Sequence, residues 1–438
     1  MRFLEKLFPL AYHRQAAYVA GGGMDGGTSK AAPRDALPAR NLDMTKKRIV
    51  SAVFPNPFAN DPWLQNQHPV LLQMAEAMRR QGCDCVPTPA FPGLFWLFRN
   101  RKKLDVVHFH WPEAYYRPSK KSAKILWPWM RVLGIAWLYA FVFLARFLRI
   151  PIVWTLNDLY PHGESPTRAF ERSCRSYLMR NVSSLILCGD SAEPVARAEF
   201  GPARHVVSAP LGNYRDFYPD GLSETDARAR LGLSPDETVF LCFGTMRENR
   251  NAIELISVFR QIPAKNLRLI VVGGTPAHLR DQMEASAWAD WRIRCHFQQV
   301  PNEELEMLMK ASDWVVVPGR NYLTSAVLVL GLSYGRPVIT SDYGCAPSIA
   351  GEAGFLYDQD APGGLMTALG RAIAADKAEY RRKAEERARQ LSWDDTAVQM
   401  MKSYRAALAA SGRGSPNGFV AHDGAQPEPD PTLVEPID

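Results

Sequence analysis

The sequence lacks a cysteine framework. Its seven cysteines are odd in number and scattered, and no two of them have the C-x-x-C spacing. This pattern argues against structural disulfides and against a zinc site, and it favours reduced cytosolic thiols. The N-terminal stretch also lacks an uninterrupted apolar run, because Glu5, Lys6, His13 and Arg14 break it, which argues against a secretory signal.

Carboxylates are missing from the stretch Gly319 to Ile339, GRNYLTSAVLVLGLSYGRPVI, which reads as a loop, a helix and the start of a strand. Thr324 and Ser325 stand at the head of this very apolar helix. We also expect no acidic pair of the D-x-D type at the end of a strand. The sequence therefore predicts no bound metal ion, because divalent cations need such oxygen ligands.

Positive charge is concentrated in one segment. The chain has 438 residues, of which 47% are hydrophobic and 22% charged, with a net charge of +7. Between Arg99 and Arg149 there are eleven Lys or Arg residues and only two acids, Asp105 and Glu113. Such a segment suits nucleic acid, anionic lipid or a phosphorylated substrate as a partner.

Short β-branched runs alternate with helical stretches from Arg48 onward, for example RIVSAVF, LDVVHFH and IPIVWTL. The alternation restarts after NYRDFYPDG with TVFLCFG and LRLIVVGG. It predicts parallel strands joined by crossover helices. The predicted fold class is α/β, with two Rossmann-like domains, a cleft between them and a C-terminal helix that crosses back.

The domain boundaries follow from these patterns and from the length of the chain. We expect one domain at 46–215, a second at 216–392 and a returning helix at 393–410. The segments 1–45 and 411–438 are rich in Gly, Pro and Ala with few aromatic residues, and we expect them to be disordered. An amphipathic surface helix is the alternative for 1–45.

Two arginines follow the strand TVFLCFG at its carboxyl end, where doubly wound sheets bind ligands. The turn begins at Gly244 and carries Arg247 and Arg250. Two guanidinium groups there can grip a diphosphate through charge-assisted hydrogen bonds. A solvated, charge-rich loop is the alternative interpretation.

The helix headed by Thr324 and Ser325 supplies a second anion-binding element, because the first N–H groups of a helix are unpaired and its dipole favours negative charge. Simple N-capping by these hydroxyl groups is the alternative. Arg320 lies just before them and favours the anion site. Gly274, after another strand, permits close approach by a base or ribose.

These stretches resemble the GT-B-fold glycosyltransferases that use nucleotide-diphosphate sugars. FGTMRENRNAIELI resembles their G-x-x-R-x-x-K-G stretch, with Arg250 at the lysine position and Asn251 at the glycine. The likeness extends from about Arg48 to Leu408. Retaining members carry two glutamates eight residues apart, and the matching positions here, Leu323 and Gly331, hold neither. The remaining interpretations are an inverting enzyme, a retaining enzyme without the pair, or a silent scaffold that binds lipid or a partner transferase.

An inverting transfer needs one general base near the acceptor hydroxyl. Glu113 is the first candidate, because HWPE follows the strand LDVVHFH and lies at its carboxyl end. Asp158 and Asp61 follow other strands and compete with it. Each of the three can instead cap a helix or pair with Arg117. His110 can orient the base, contact the sugar or be a half-buried structural histidine.

HFHWPE together with TLNDLYPHG is similar to the β-mannosyltransferases that extend lipid-linked exopolysaccharide units from GDP-mannose. The chain departs from their motifs at Asn157-Asp158, His162-Gly163 and Leu211. The resemblance implies a metal-independent inverting hexosyltransferase without a cofactor, whose donor is GDP-mannose in preference to UDP-sugars. The implied acceptor is a lipid-diphosphate-linked oligosaccharide.

The basic segment 117–149 contains a long apolar stretch. Its uncharged run, Val132 to Ala145, has fourteen residues, and a membrane span needs about 20. We therefore expect no transmembrane helix but a helix lying on an anionic membrane surface. A buried crossover helix is the alternative, and nucleic acid is not expected as a partner. The predicted location is cytoplasmic, peripheral on the inner face of the plasma membrane. The flanking residues that suggest this are Lys120, Lys121, Lys124, Trp127, Trp129 and Trp137.

Overall fold

A computed structural model describes residues 48–57, 69–117, 127–160 and 168–413. Several predictions fall outside these ranges. They concern the extension 1–45, the candidate base Asp61, the lysines at 120, 121 and 124, the His162-Gly163 pair and the tail beyond residue 413. The structure therefore bears on the two predicted domains and on the returning helix.

The first domain is built on a six-stranded sheet. Its strands are β1 (Ile49–Phe54), β2 (Cys83–Val86), β3 (Val106–Phe109), β4 (Ile152–Thr155), β5 (Ser184–Leu187) and β6 (Val206–Ser208). They lie in the order β2-β1-β3-β4-β5-β6 and are all parallel. The helices are α1 (Val70–Arg80), α2 (Leu94–Asn100), α3 (Glu113–Tyr116), α4 (Trp127–Phe147), α5 (Arg168–Asn181) and α6 (Glu193–Phe200).

The second domain repeats this plan. Its strands are β7 (Thr238–Phe243), β8 (Leu267–Val272), β9 (Ile293–His296), β10 (Trp314–Val317), β11 (Val338–Ser341) and β12 (Gly354–Tyr357). They are parallel in the order β12-β11-β10-β7-β8-β9. Its helices are α7 (Glu224–Arg230), α8 (Ala252–Arg260), α9 (Ala277–Ala287), α10 (Asn302–Ala311), α11 (Ala326–Ser333), α12 (Ala346–Ala350), α13 (Gly364–Ala374) and α14 (Lys377–Gln390).

The strand orders explain where a ligand can bind. The order reverses between β1 and β3 in the first sheet and between β7 and β10 in the second. Ligands of open parallel sheets bind beyond the carboxyl ends of the strands at such a reversal. The HWPE turn follows β3, and the turns that begin at Gly244 and Gly319 follow β7 and β10. The topology therefore brings the candidate residues to one region.

The last helix, α15 (Trp393–Ala410), crosses back to the first domain. Ser392 caps it, because the Ser392 hydroxyl accepts the Asp395 amide at 3.2 Å. Along its length, Arg80 pairs with Asp394 at 2.8 Å, and the Ser403 and Ser184 hydroxyls are hydrogen-bonded at 2.7 Å. The predicted α/β fold, with two Rossmann-like domains and a returning helix, is confirmed.

Helix α4 is longer than the sequence suggested. It spans 21 residues because Arg131 and Arg146 lie within the helix and do not end it. Its segment Trp129–Phe147 is long and apolar enough to cross a membrane by length and composition, with a mean hydropathy of 1.6. The helix is also the crossover between β3 and β4, and Leu138, Phe141 and Val142 are buried against the domain.

Candidate functional site

A cavity of about 410 Å³ lies where the carboxyl ends of the two sheets face each other. It takes walls from both domains, and eight of the predicted site residues line it. From the first domain these are Glu113 and Asp158; from the second they are Gly244, Arg247, Arg250, Gly274, Thr324 and Ser325. Among the described residues that line the cavity, Glu113 and Asp158 are the acidic ones. Both of these carboxylates therefore lie on the first-domain side of the cavity.

Arg250 is a buried cation on the opposite wall. Its residue is 9% exposed, and its guanidinium lies 5.3 Å from the centre of the Tyr322 ring. Within the described ranges no carboxylate pairs with it, and its Nε has no hydrogen-bond partner. Because a buried charge without a counter-ion is unfavourable, this wall is suited to receive an anion.

Gly244 makes room for this arginine. Its φ is +114°, and a Cβ atom built there would lie 2.6 Å from Nη2 of Arg250. Any other residue would be strained in this conformation and would also push the guanidinium away. The glycine is therefore required both by the turn and by the cation.

Asn251, the residue that departs from the glycine of the family motif, adopts the left-handed conformation with φ of 59°. It ends the short 3₁₀ turn Glu248–Arg250 and precedes α8. Asparagine tolerates this conformation better than other non-glycine residues, since its short side chain bonds locally. The departure thus preserves the turn that positions Arg247 and Arg250.

Ser325 occupies the N-cap position of α11 without capping it. Its backbone is extended, and its side chain makes no hydrogen bond to the helix amides. Thr324 is hydrogen-bonded to the Cys345 thiol at 3.3 Å. The simple N-capping alternative therefore does not describe Ser325, which lines the cavity beside the first turn of the helix.

Two predictions about charges in this domain are wrong. Arg320 does not line the cavity, because it donates to the Gln359 carbonyl and pairs with Asp360. Asp358 and Asp360 form a D-x-D pair directly after β12, where we expected none. Both side chains make local contacts: Asp358 accepts a hydrogen bond from the Asp360 amide at 2.8 Å, and Asp360 pairs with Arg320. In the part of the chain that the structure describes, no three His, Cys, Asp or Glu side chains are grouped to hold a metal ion.

The positions matched to the missing glutamate pair also need correction. Leu323 is 1% exposed, and a Cβ atom at Gly331 would lie 3.1 Å from Val315, so both positions face the protein interior. Tyr322 and Leu330 line the cavity instead, and they too are eight residues apart. The comparison is therefore shifted by one residue, and the corrected positions carry no carboxylate either.

Glu113 is held by a buried arginine from α5. Its Oε2 lies 3.1 Å from Nη2 of Arg175, whose side chain is 2% exposed. The same guanidinium donates through Nη1 to the backbone carbonyl of Asp158 at 2.8 Å. Arg117, the expected alternative partner, pairs with Glu171 at 2.7 Å. One side chain therefore holds the carboxylate of Glu113 and the backbone of Asp158.

The carboxyl group of Asp158 has a perturbed pKa. Burial raises its pKa to about 6, although the positive charges of Arg175 and Arg247 act in the opposite direction. Arg175 belongs to the first domain and Arg247 to the second, so Asp158 lies between cations on both sides of the cleft. A pKa near neutrality is suited to general acid–base chemistry.

His110 is not brought to the cavity. It is 3% exposed, and its ring lies 4.5 Å from that of His108, which is hydrogen-bonded to Tyr404 of α15 at 2.8 Å. Residues two apart at the end of a strand share one face, and here that face is buried under α15. This burial argues against direct catalysis by His110 and favours the structural alternative.

Arg175 is the functional residue that sequence reasoning missed. Its segment, RAFERSCRSYLMRN, contains four arginines and resembles a solvated helix face. The signal was the spacing of Glu171, Cys174, Arg175 and Leu178, which places charged and apolar residues on the same buried side. A charged residue in phase with the core indicates a buried ionic network.

Comparison with known proteins agrees with this architecture. Residues 237–375 match the family described as "Glycosyl transferases group 1". GDP-mannose:glycolipid 4-beta-D-mannosyltransferase of Xanthomonas campestris pv. campestris is 26% identical over 311 residues, which cover 69% of this chain and 79% of that protein. D-inositol 3-phosphate glycosyltransferase of Corynebacterium glutamicum (strain R) is 26% identical over 346 residues, covering 73% and 77%.

Solved structures show the same fold. HepE of Anabaena in complex with UDP has a TM-score of 0.60 at 15% identity, covering 81% of this chain and 98% of that one. Sucrose-phosphate synthase from Thermosynechococcus elongatus has a TM-score of 0.58 at 19% identity, covering 83% and 100%. The resemblance to GT-B glycosyltransferases, and to the glycolipid mannosyltransferase among them, is confirmed.

Proposed function

We propose that this chain, which carries a group 1 glycosyltransferase domain on a GT-B fold, transfers a hexose from a nucleoside-diphosphate donor to a lipid-linked acceptor with inversion at the anomeric carbon. The observation that carries the proposal is the separation of charge across the cavity. Both lining carboxylates, Glu113 and Asp158, come from the first domain, where the lining cation Arg117 is neutralised by Glu171. The lining cations of the second domain are Arg247 and Arg250.

The cationic wall suits the leaving group. Arg247, Arg250 and the amide end of α11 can receive the diphosphate and stabilise the charge that develops as the bond to the sugar breaks. Arg250 is already desolvated, which strengthens its interaction with a phosphate oxygen. We propose that these groups do this without a metal ion.

The acidic wall suits the acceptor. A base removes the proton of the acceptor hydroxyl, whose oxygen then forms a bond to the anomeric carbon while the bond to the diphosphate breaks. We favour Asp158 over the first sequence candidate, Glu113, because Glu113 is ion-paired to Arg175 at 3.1 Å. Burial raises the pKa of Asp158 to about 6, so this carboxylate is ionised at neutral pH and still basic.

The donor and acceptor are proposed from the relatives. One relative is named a GDP-mannose:glycolipid 4-beta-D-mannosyltransferase, and the motif likeness favours the same class here. We therefore propose GDP-mannose, in preference to UDP-sugars, as the donor, and a lipid-diphosphate-linked oligosaccharide as the acceptor in cell-surface polysaccharide synthesis. The reaction would take place on the cytoplasmic face of the plasma membrane.

Transfer from a panel of nucleotide sugars to a lipid-linked acceptor, in EDTA, tests the proposal. We expect mannose transfer with the opposite anomeric configuration in the product, read by NMR. Retention of configuration would indicate a retaining enzyme that works without the glutamate pair. Nucleotide binding without sugar consumption for any lipid acceptor would indicate a silent scaffold.

A further inference from the structure

Helix α4 is apolar on its buried face and on most of its exposed face, with Arg131 and Arg146 as its charged residues. Leu138, Phe141 and Ala145 are at most 2% exposed and pack into the domain. On the opposite side Trp129, Phe143 and Phe147 are 71%, 70% and 74% exposed. Residues on that side recur at helical spacing along the whole helix, so the exposed face is continuous. A helix that is hydrophobic all round is normally buried.

Helix α2 adds further exposed aromatic residues beside α4. It lies against α4, where Trp137 donates its indole N–H to the Pro92 carbonyl at 3.0 Å. Phe95 and Phe98 of α2 are 63% and 46% exposed. We define the α2/α4 face by Phe95, Phe98, Trp129, Leu133, Phe143 and Phe147.

The size of the α2/α4 face sets it apart from ordinary surface. Its five aromatic residues expose roughly 600 Å², taking about 200 Å² for each such side chain. Soluble monomers rarely expose a contiguous apolar patch above a few hundred Å², and larger patches mark interaction sites. An exposed face of this size is typical of an interaction site.

Charge around the face identifies the partner. Arg99, Arg101, Lys102 and Lys103 follow Phe98 directly, and Arg101 lies 4.1 Å over the Phe98 ring. The acids of the segment are turned inward: Asp105 accepts the Val50 amide at 2.9 Å, and Glu113 is bound to Arg175. An apolar surface with a cationic rim matches an anionic lipid bilayer, whose headgroups attract Lys and Arg while its interior takes aromatic side chains.

We propose that the α2/α4 face lies flat in an anionic lipid surface, with its aromatic side chains at the boundary between headgroups and acyl chains. Helix α4 does not cross the bilayer, because its other face is part of the domain core. The surface thus consists of two helices, and α2 lies outside the basic segment 117–149 in which the sequence suggested membrane contact.

The proposed docking surface is rigidly joined to the cavity. Gly134 of α4 packs against the carbonyl of Tyr116, the last residue of α3, so closely that a Cβ atom at 134 would overlap it. Helix α3 begins with Glu113, which lines the cavity. The inference rests on the proposed function in one respect: a lipid-linked acceptor could then reach the carboxylates while its lipid remained in the membrane.

Binding of the full-length protein to vesicles tests the inference without any substrate. We expect sedimentation with phosphatidylcholine vesicles containing roughly 30% phosphatidylglycerol, and much weaker sedimentation with phosphatidylcholine alone. The double variant Phe143→Ser/Phe147→Ser should lower the partition coefficient at least about tenfold, since it removes two large apolar side chains that the proposal places in the bilayer. Trp288→Ser is the matched control, because Trp288 is 79% exposed on the other domain.

Other outcomes overturn the inference. If the double variant binds like the wild type, another part of the chain carries the attachment. If the wild type sediments with neither vesicle and the double variant instead dissociates a dimer in analytical ultracentrifugation, the face binds a second copy. Transfer to an acceptor dissolved in detergent is measured separately on the same samples. Vesicle binding by the wild type without transfer would show that the proposed function has failed, whereas transfer by a wild type that does not bind vesicles would show that the docking surface has failed.

Discussion

Replacement of Asp158 by Asn should remove activity and make the protein more stable. Burial holds the pKa of this carboxyl at about 6, against an ordinary value of 3.8, so the folded protein is penalised for carrying the charge at neutral pH. A shift of this size corresponds to about 3 kcal/mol at most. Asn keeps the shape and removes the charge. We therefore expect the free energy of unfolding at pH 7 to rise by up to about 3 kcal/mol.

The stability gain of Asp158→Asn should depend on pH. A carboxyl whose pKa is raised on folding is protonated in both states below about pH 3.8, and its penalty develops as the pH rises towards 6. The gain of Asp158→Asn should therefore be full at pH 7 and should disappear near pH 4. Urea unfolding of both proteins at several pH values measures it.

Turnover is measured on the same proteins. Without its base the variant should lose about 100- to 10,000-fold in kcat. In the wild type kcat/KM should be constant above about pH 7 and should fall tenfold per pH unit well below 6. Glu113→Gln is the matched control and should be less stable, because Arg175 loses its buried anion. If Asp158→Asn turns over normally while Glu113→Gln does not, the base is Glu113.

Three further substitutions test the surroundings of the site. Gly244→Ala should destabilise the protein by about 1–3 kcal/mol and raise the KM for the donor, because φ is +114° and the new Cβ would displace Arg250; unchanged urea unfolding and KM would contradict this. Arg175→Met should move the acidic limb of kcat/KM to higher pH, since the guanidinium lowers the pKa of Asp158, whereas Arg175→Lys should leave the limb nearly in place; an unmoved limb in both would refute this positioning role. Tyr404→Phe should cost about 1–3 kcal/mol in urea unfolding, because His108 loses its partner at 2.8 Å, and should leave the KM for the donor unchanged.

The predicted residues that the structure brings to the cavity in the second domain depend on local geometry. Arg247 and Arg250 follow a strand within one turn, and Ser325 stands directly before a helix, so their positions depend on backbone geometry close in the chain. Asn251 in the left-handed conformation preserves that geometry where the motif has glycine. Strand runs and their alternation with helices likewise predicted both sheets.

The parts that the sequence did not predict depend on distant contacts. Arg175 is bound to Glu113, which lies 62 positions earlier in the chain. His110 packs against His108, which is hydrogen-bonded to Tyr404 of the C-terminal helix α15. Arg320 was assigned by its nearness to the helix, but Asp360 competes for it. The cavity-facing positions, Tyr322 and Leu330, each lie one residue before the predicted Leu323 and Gly331, because sequence alone does not show which side chains of this segment face the cavity.

The central claim is that guanidinium groups and a helix start hold the diphosphate without a metal ion. Isothermal titration of the wild type and of Arg250→Ala with GDP and UDP, in EDTA, tests it most directly. We expect GDP to bind the wild type more tightly than UDP, and Arg250→Ala to weaken GDP about 10- to 100-fold through loss of a charge-assisted bond. Equal affinity of the two proteins for GDP, or binding that requires added divalent metal, would contradict the account.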